Sequence, residues 1–314
     1  MKYKSILFYL IVVSLTACNK DKKIDKAGPK MQAFIESIST YAREFKNDFI
    51  IIPQNGIELA FEDVNADNNL NTTFLLSIDG FGMEELFYNG SAVEEDGRLA
   101  MAQKVRATKP ILVADYTNTS AGYDDAKMKN AAQNFLAFPR VENNYDYEYI
   151  PNTITEENAN DVNTLADAKN YLYLISTGQY SSKSDFLAAI AATNFDVVII
   201  DLFFDNEAFI SSDLDLIRYK ANGGKRLLIS YMSIGSAEKY RYYWKKYWAR
   251  QHPVWLKKRY EGYKDEYWVI FWNKNWQKII YGNDESYTKK ILNAGFDGTY
   301  LDNVEAYYFL YRKN

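Results

Sequence analysis

The chain has 314 residues, a formal net charge of −4, one cysteine and one histidine. A single histidine excludes a Ser-His-Asp triad and a multi-histidine zinc site, and mixed charge without a sustained basic run argues against nucleic acid as a partner. Catalysis, if any, falls to carboxylates, tyrosines or lysines. In chain order, Lys2 and Lys4 precede an apolar run at 6–13 and then Leu15-Thr16-Ala17-Cys18. The run is shorter than the ~20 residues of a membrane span and has the form of a signal peptide, 1–17, ending in a lipobox. Cleavage before Cys18 and lipidation of its thiol account for a lone cysteine in an exported chain. The expectation is export, with the lipid holding the protein to the cell membrane or outer membrane on its periplasmic or cell-surface side. Residues 18–30 are polar and aperiodic and are expected to form a tether, leaving 31–314 as one domain.

Met31, Phe34, Ile35, Ile38 and Tyr41 have helical spacing, and residues 49–52 then form an apolar run suited to a buried strand. Four later runs end in an acid: 74–79 in Asp79, 111–115 in Asp115, 197–201 in Asp201 and 299–302 in Asp302. Two similar runs, 172–175 and 226–231, lack the acid. Continuous apolar strands are buried on both faces, as in a parallel sheet covered by helices, and helical segments at 182–192, 211–222 and 286–294 separate several of them. The pattern predicts an α/β fold, a single (β/α)8 TIM barrel, with an open doubly wound sheet as the second choice. Residues 116–163, rich in Asn, Asp and Tyr, are expected as a long loop. Asp79-Gly80-Phe81-Gly82 lacks the third glycine and the lysine of phosphate-binding loops, so no nucleotide cofactor is expected.

In a barrel the carboxyl ends of the strands carry the chemistry, which would gather Asp79, Asp115, Asp201 and Asp302 at one mouth. The competing reading gives each aspartate a turn or a helix cap. Past the strand at 226–231, Gly235 permits a tight turn before Glu238, and Arg241 follows three residues later, as a site pair or a surface ion pair. All six tryptophans fall between Trp244 and Trp276. Such a cluster suits either a core or a platform for sugar rings.

Segments 52–59, 78–88, 196–204, 231–244 and 295–307, the last reading Gly-Phe-Asp-Gly-Thr-Tyr-Leu-Asp-Asn-Val-Glu-Ala-Tyr, together resemble glycoside hydrolase family 114. The resemblance implies a TIM-barrel hydrolase without a cofactor or metal, whose characterised members cleave α-1,4-linked galactosamine polymers. By position it implies Asp201, Glu238 and Asp302 as the acids from which a catalytic pair is drawn. Asp302 is the expected nucleophile or base and Glu238 the expected acid. Asp79, Asp115, Tyr231, Arg241, Trp244, Trp272 and Glu305 are expected to contact a polysaccharide. Two positions depart from the family: Ser236, where many relatives have a second glutamate, and Tyr300, where some members have a glutamate. These departures keep open a second function, a noncatalytic glycan-binding surface lipoprotein on a degenerate barrel.

Overall fold

The protein is described by a computed structural model covering residues 3–142, 145 and 147–311, with side chains described from residue 22 onward. The side chain of Cys18, and with it the lipobox, lies outside the described residues. The first element is a long helix, α1 (Tyr3–Phe45). Met31, Phe34, Ile35, Ile38 and Ala42 are buried along one stripe of it, the spacing of a helix packed on a core. Residues 22–30, expected as a tether, are helical as well. Ala27 and Gly28 are buried there, and a Cβ at Gly28 would come within 2.8 Å of Val64, so two small residues replace the apolar signal that would have marked a packed face. Among the described residues no helix is long and apolar enough to cross a membrane.

Eight strands form parallel ladders: β1 (Ile50–Pro53), β2 (Phe81–Ala92), β3 (Ile111–Thr117), β4 (Leu136–Ala137), β5 (Tyr171–Leu174), β6 (Val197–Asp201), β7 (Leu227–Ser233) and β8 (Gly298–Asp302). The last strand pairs with the first, and β8, β7, β6 and β5 follow in order, while β2, β3 and β4 form a second ladder. A single parallel bridge from Gln54 to Gly82 joins the two ladders. No ladder links β4 to β5 among the described residues; there the rings of Phe138 and Tyr171 meet at 5.5 Å. The fold is thus mixed α/β with parallel sheets. Its strand number and order are those of the expected barrel, and its hydrogen bonding is open at one position. Strands β5, β6 and β7 are buried at every residue, as parallel strands covered on both faces must be.

Three expected elements differ. Residues 74–79 are not a strand: α2 (Thr72–Ser77) lies there, capped by Asn71, whose side-chain oxygen accepts from the Phe74 amide at 3.0 Å. Leu76 is 72% exposed, which suits an amphipathic turn and not a doubly buried strand. The strand that carries this part of the fold is β2, directly afterward. The stretch 116–163 is not all loop, because Thr119 caps the helix Ser120–Ala132 and β4 follows. Finally, the helix expected over 211–222 stops at Asp215, with Leu216 and Tyr219 beyond it exposed.

After β7 the chain leaves the parallel frame and builds a three-stranded antiparallel sheet from Ser236–Glu238, Leu256–Arg259 and Glu266–Val269, with Glu266–Val269 in the middle. Trp248, Trp255, Trp268 and Trp276 are buried in this region. Trp255 lies 5.0 Å from both Trp248 and Trp276, and the Trp276 indole N–H donates to the Ile234 carbonyl at 2.8 Å. The tryptophan cluster is chiefly the core of this excursion.

Candidate active site

The carboxyl ends of the strands open into a cleft of about 760 Å³, lined by residues that include Asp201, Glu238 and Asp302. Asp201 ends β6 and Asp302 ends β8. Glu238 reaches the same cleft because β7 turns at Gly235, where a Cβ would collide with the carbonyl oxygen of Asn303. Glycine therefore lets the chain after β7 lie against the chain after β8. Asn303, at φ 59°, holds the left-handed conformation that asparagine tolerates better than most residues. Its side-chain nitrogen sits 2.9 Å from Ser233 Oγ and 3.1 Å from Ser236 Oγ.

The three acids divide into two environments. Arg241 is buried between Asp201 and Glu238: its Nε donates to Glu238 Oε2 at 2.6 Å, its Nη1 to Asp201 Oδ1 at 2.8 Å, and its Nη2 lies 2.7 Å from Asp201 Oδ2. Burial alone would lower the pKa of Arg241, but the two carboxylates more than reverse this and hold it well above the usual arginine value. Burial raises the Asp201 carboxyl, against the pull of the same arginine. The Tyr240 hydroxyl also donates to Glu238 Oε1. Asp302 has no such cation. It accepts from the Tyr231 hydroxyl and from the Asn303 amide, each at 2.6 Å, and no salt bridge to it is found among the described residues. Burial, followed by the charge of Glu84, pushes its pKa up to about 7.

Further carboxyls face this pair. Glu84, on β2, accepts from Asn55 Nδ2 at 3.0 Å and from the Tyr147 hydroxyl, whose ring stacks on Tyr173 at 3.9 Å; burial raises its pKa. Glu266 stands directly across the antiparallel ladder from Glu238. It accepts from Ser236 Oγ and from Asn303 Nδ2, the latter at 3.2 Å, and burial together with the Glu238 charge pushes it up to about 8. Glu305 is likewise pushed up to about 8, by burial and then by Glu58. Among the described residues the only cations in the lining are Arg98 and Arg241. Arg98 is occupied by the carbonyls of Glu84 and Glu85 and by Asp96. Several carboxyls crowded in one open cleft with few cations among the described residues are the arrangement that separates pKa values for acid and base roles.

Tyr231, Arg241 and Glu305 line the cleft as expected contacts; four other expected contacts do not. Asp79 precedes β2 instead of ending a strand, so it lies at the opposite ends of the strands, paired with Arg43 at 2.8 Å and accepting from the Ile51 amide. Asp115 lies inside β3, fully buried, and accepts from the amides of Phe87 and Tyr88 and from Asn130 Nδ2. It splices β2 onto β3 and does not line the cleft. Trp244 stacks on Tyr267 and meets Trp248 edge-on, and Trp272 packs against Phe271 with Lys30 over its ring at 4.3 Å. The aromatic surfaces of the cleft are chiefly tyrosines, including Tyr145, Tyr147, Tyr240, Tyr260 and Tyr263, with Phe203 and Phe309. Tyr260 is backed by Trp268 at 4.4 Å, so one tryptophan supports the wall from behind. Tyr300 is also outside the lining; its ring is fully buried beside Tyr173 at 5.3 Å.

The carboxyl ends of the parallel strands thus present a cluster of carboxyls and aromatic faces to an open cleft. The chain belongs to glycoside-hydrolase family GH114, whose sequence pattern matches residues 151–314. It is 32% identical to an uncharacterized protein of Methanocaldococcus jannaschii over 151 residues, 48% of this chain and 41% of the relative. It is also 29% identical to an uncharacterized protein of Thermotoga maritima over 118 residues, covering 38% of this chain and 35% of that one. The matched region thus spans about two fifths of the length of these curated relatives.

Proposed function

We propose that the protein hydrolyses glycosidic bonds in a polysaccharide through a carboxyl pair in which Asp302 is the nucleophile or base. The observation that carries this reading is the placement of Asp302: at the end of β8, held by Tyr231 and Asn303, with no cation to neutralise it. A second carboxyl protonates the leaving oxygen while Asp302 attacks C1 or activates a water. We take the eight strands to wrap as a (β/α)8 barrel, closed between β4 and β5 by side-chain packing. The substrate proposed is the α-1,4-linked galactosamine polymer cleaved by characterised members of the family. An amino sugar is cationic, and the acidic wall of the cleft favours it electrostatically.

The experiment is the rate of reducing-end release from deacetylated galactosaminoglycan, measured beside acetylated polymer and other polysaccharides from about pH 5 to about pH 10. Asp302 works ionised, so the rate rises with pH through about 7. The acid works protonated, so with a carboxyl near 8 in that role the rate falls above about 8. The two limbs are apparent values of an interacting set of carboxyls. An optimum near pH 5, or a rate flat across the range, would count against the proposal.

The proposed setting is the cell envelope, with the chain cut before Cys18 and held by lipid on that residue. Intact mass of the protein extracted from membranes with detergent tests this: the expected mass lacks residues 1–17 and carries an added lipid. A mass that retains residues 1–17 sinks it.

A further inference from the structure

Three carboxyls compete for the role of proton donor, and the hydrogen bonds around them separate the candidates. Glu238 is salt-bridged to the buried Arg241, with both of its oxygens accepting from the guanidinium, at 2.6 Å and 3.3 Å, and Oε1 also from the Tyr240 hydroxyl. Both oxygens are thus occupied by donors from its own wall and neither is free to meet a leaving oxygen. Glu305 is near Glu58, and among the described residues no hydrogen bond ties its side chain to the group that holds Asp302. Glu266 differs from both. Its Oε1 accepts from Ser236 Oγ and lies 3.2 Å from Asn303 Nδ2, and that same nitrogen lies 3.4 Å from Asp302 Oδ2. Since one atom touches both carboxyls, their near oxygens are at most about 6.6 Å apart. That bound admits the ~5 to 5.5 Å carboxyl separation of retaining glycosidases and only the lower edge of the ~6.5 to 9.5 Å range of inverting ones.

We infer that Glu266 is the general acid of this site, positioned against Asp302 by Ser236 and Asn303, and that Glu238 serves with Asp201 to anchor Arg241. The assignment rests on the hydrolase reading above and adds the identity of the acid. In the reaction the C1–O bond breaks and the leaving oxygen takes the Glu266 proton. The hydroxyl that ends on C1 comes from water, whose remaining proton returns to the carboxyl pair, so donor and base are restored. The charged groups facing Glu266 are Glu238 across the ladder, Asp302 beyond Asn303, and Arg241. The two acids raise its proton affinity; Arg241 and the Ser236 hydrogen bond lower it.

The test uses the full chain and two substrates: galactosamine polymer, and galactosamine oligomers carrying a nitrophenol aglycone that leaves without protonation. Glu266→Gln is expected to lose about 10²- to 10⁴-fold in kcat/KM on the polymer and far less on the nitrophenyl substrate. On that substrate its alkaline limb disappears. Glu238→Gln should impair both substrates alike, because it disturbs the Arg241 network and not proton donation. Ser236→Ala, which removes one of the two contacts that position Glu266, should lower kcat/KM on the polymer more than on the nitrophenyl substrate and move the alkaline limb to higher pH. If Glu238→Gln shows the leaving-group dependence and Glu266→Gln does not, the assignment is overturned while the hydrolase reading stands. A wild-type chain that cleaves neither substrate overturns the hydrolase reading and this assignment with it.

Discussion

Asp302→Asn is expected to lower kcat on polymer by about 10⁴-fold or more without destabilising the fold. The first part follows from its role: when the group that attacks C1 or activates water is lost, only binding and fixed polar contacts remain, and such losses are of this size in other hydrolases that act through a charged set. The second part follows from its environment. Asp302 has a folded pKa near 7, raised by burial and by Glu84 from an ordinary value of 3.8. A carboxyl whose pKa rises on folding is most compatible with the native state below its unfolded pKa, and that advantage is lost as pH rises through the folded value. At about pH 8 the wild-type chain bears this cost and the asparagine variant does not. The variant should therefore melt no lower than wild type at that pH. Kinetics and thermal melting on the same samples check both halves. A variant that keeps a tenth or more of the wild-type rate, or that melts well below it, contradicts the account.

Arg241→Met carries the second large effect, and here it is on stability. The substitution leaves Asp201 and Glu238 buried side by side with no counter-charge; their side chains are only 11% and 5% exposed. Removing one partner from a buried ion pair costs about 3–5 kcal/mol because the other charge stays buried. A loss of that size lowers the melting temperature by roughly 5–8 °C in a chain of this length. Arg241→Lys should recover part of it, since a lysine supplies the charge but cannot fork onto two carboxylates. Raising the acidity of the buffer should narrow the gap for Arg241→Met, because burial already raises the Asp201 carboxyl and protonating it removes uncompensated charge. A melting temperature unchanged by Arg241→Met would show that the three side chains do not form the buried cluster described here.

The parts of the site that follow from local pattern were legible in the sequence, and the parts that depend on distant pairing were not. Asp201 and Asp302 can be found because a parallel strand in this fold is a short apolar run whose last residue faces the mouth. Glu238 can be found because Gly235 marks the turn after such a run. The same rule misplaces Asp79: residues 74–78 are apolar enough for a strand, but Asn71 and two threonines begin a helix, and the true strand starts at Phe81. That one error hides Glu84, which sits on the strand passed over. Glu266 has no local signal at all. It meets Ser236 only because an antiparallel ladder pairs Ser236 with Trp268 and Glu238 with Glu266, a register no spacing in the sequence encodes. Ser236, conspicuous as a departure from the family, turns out to direct its hydroxyl at Glu266.

The tryptophans show the same limit from another side. Their density between 244 and 276 signals a large aromatic assembly, but density does not say which way a ring points. Most face inward and cement the sheet that carries Glu238 and Glu266, while tyrosines, scattered along the whole chain, form most of the aromatic wall of the cleft. Tyr147 is the clearest case. It lies in an aperiodic stretch, yet it stacks on Tyr173 and donates to Glu84.

The central claim, that this cleft cuts a glycosidic bond with Asp302, is tested most directly by incubating the wild-type chain and Asp302→Asn with deacetylated α-1,4-galactosaminoglycan and measuring new reducing ends and product masses. The account predicts oligosaccharides carrying one added water per cut from the wild type and none from the variant, with polymer bound by both. Polymer bound equally by both chains with no reducing ends from either would contradict it and establish the protein as a glycan-binding module.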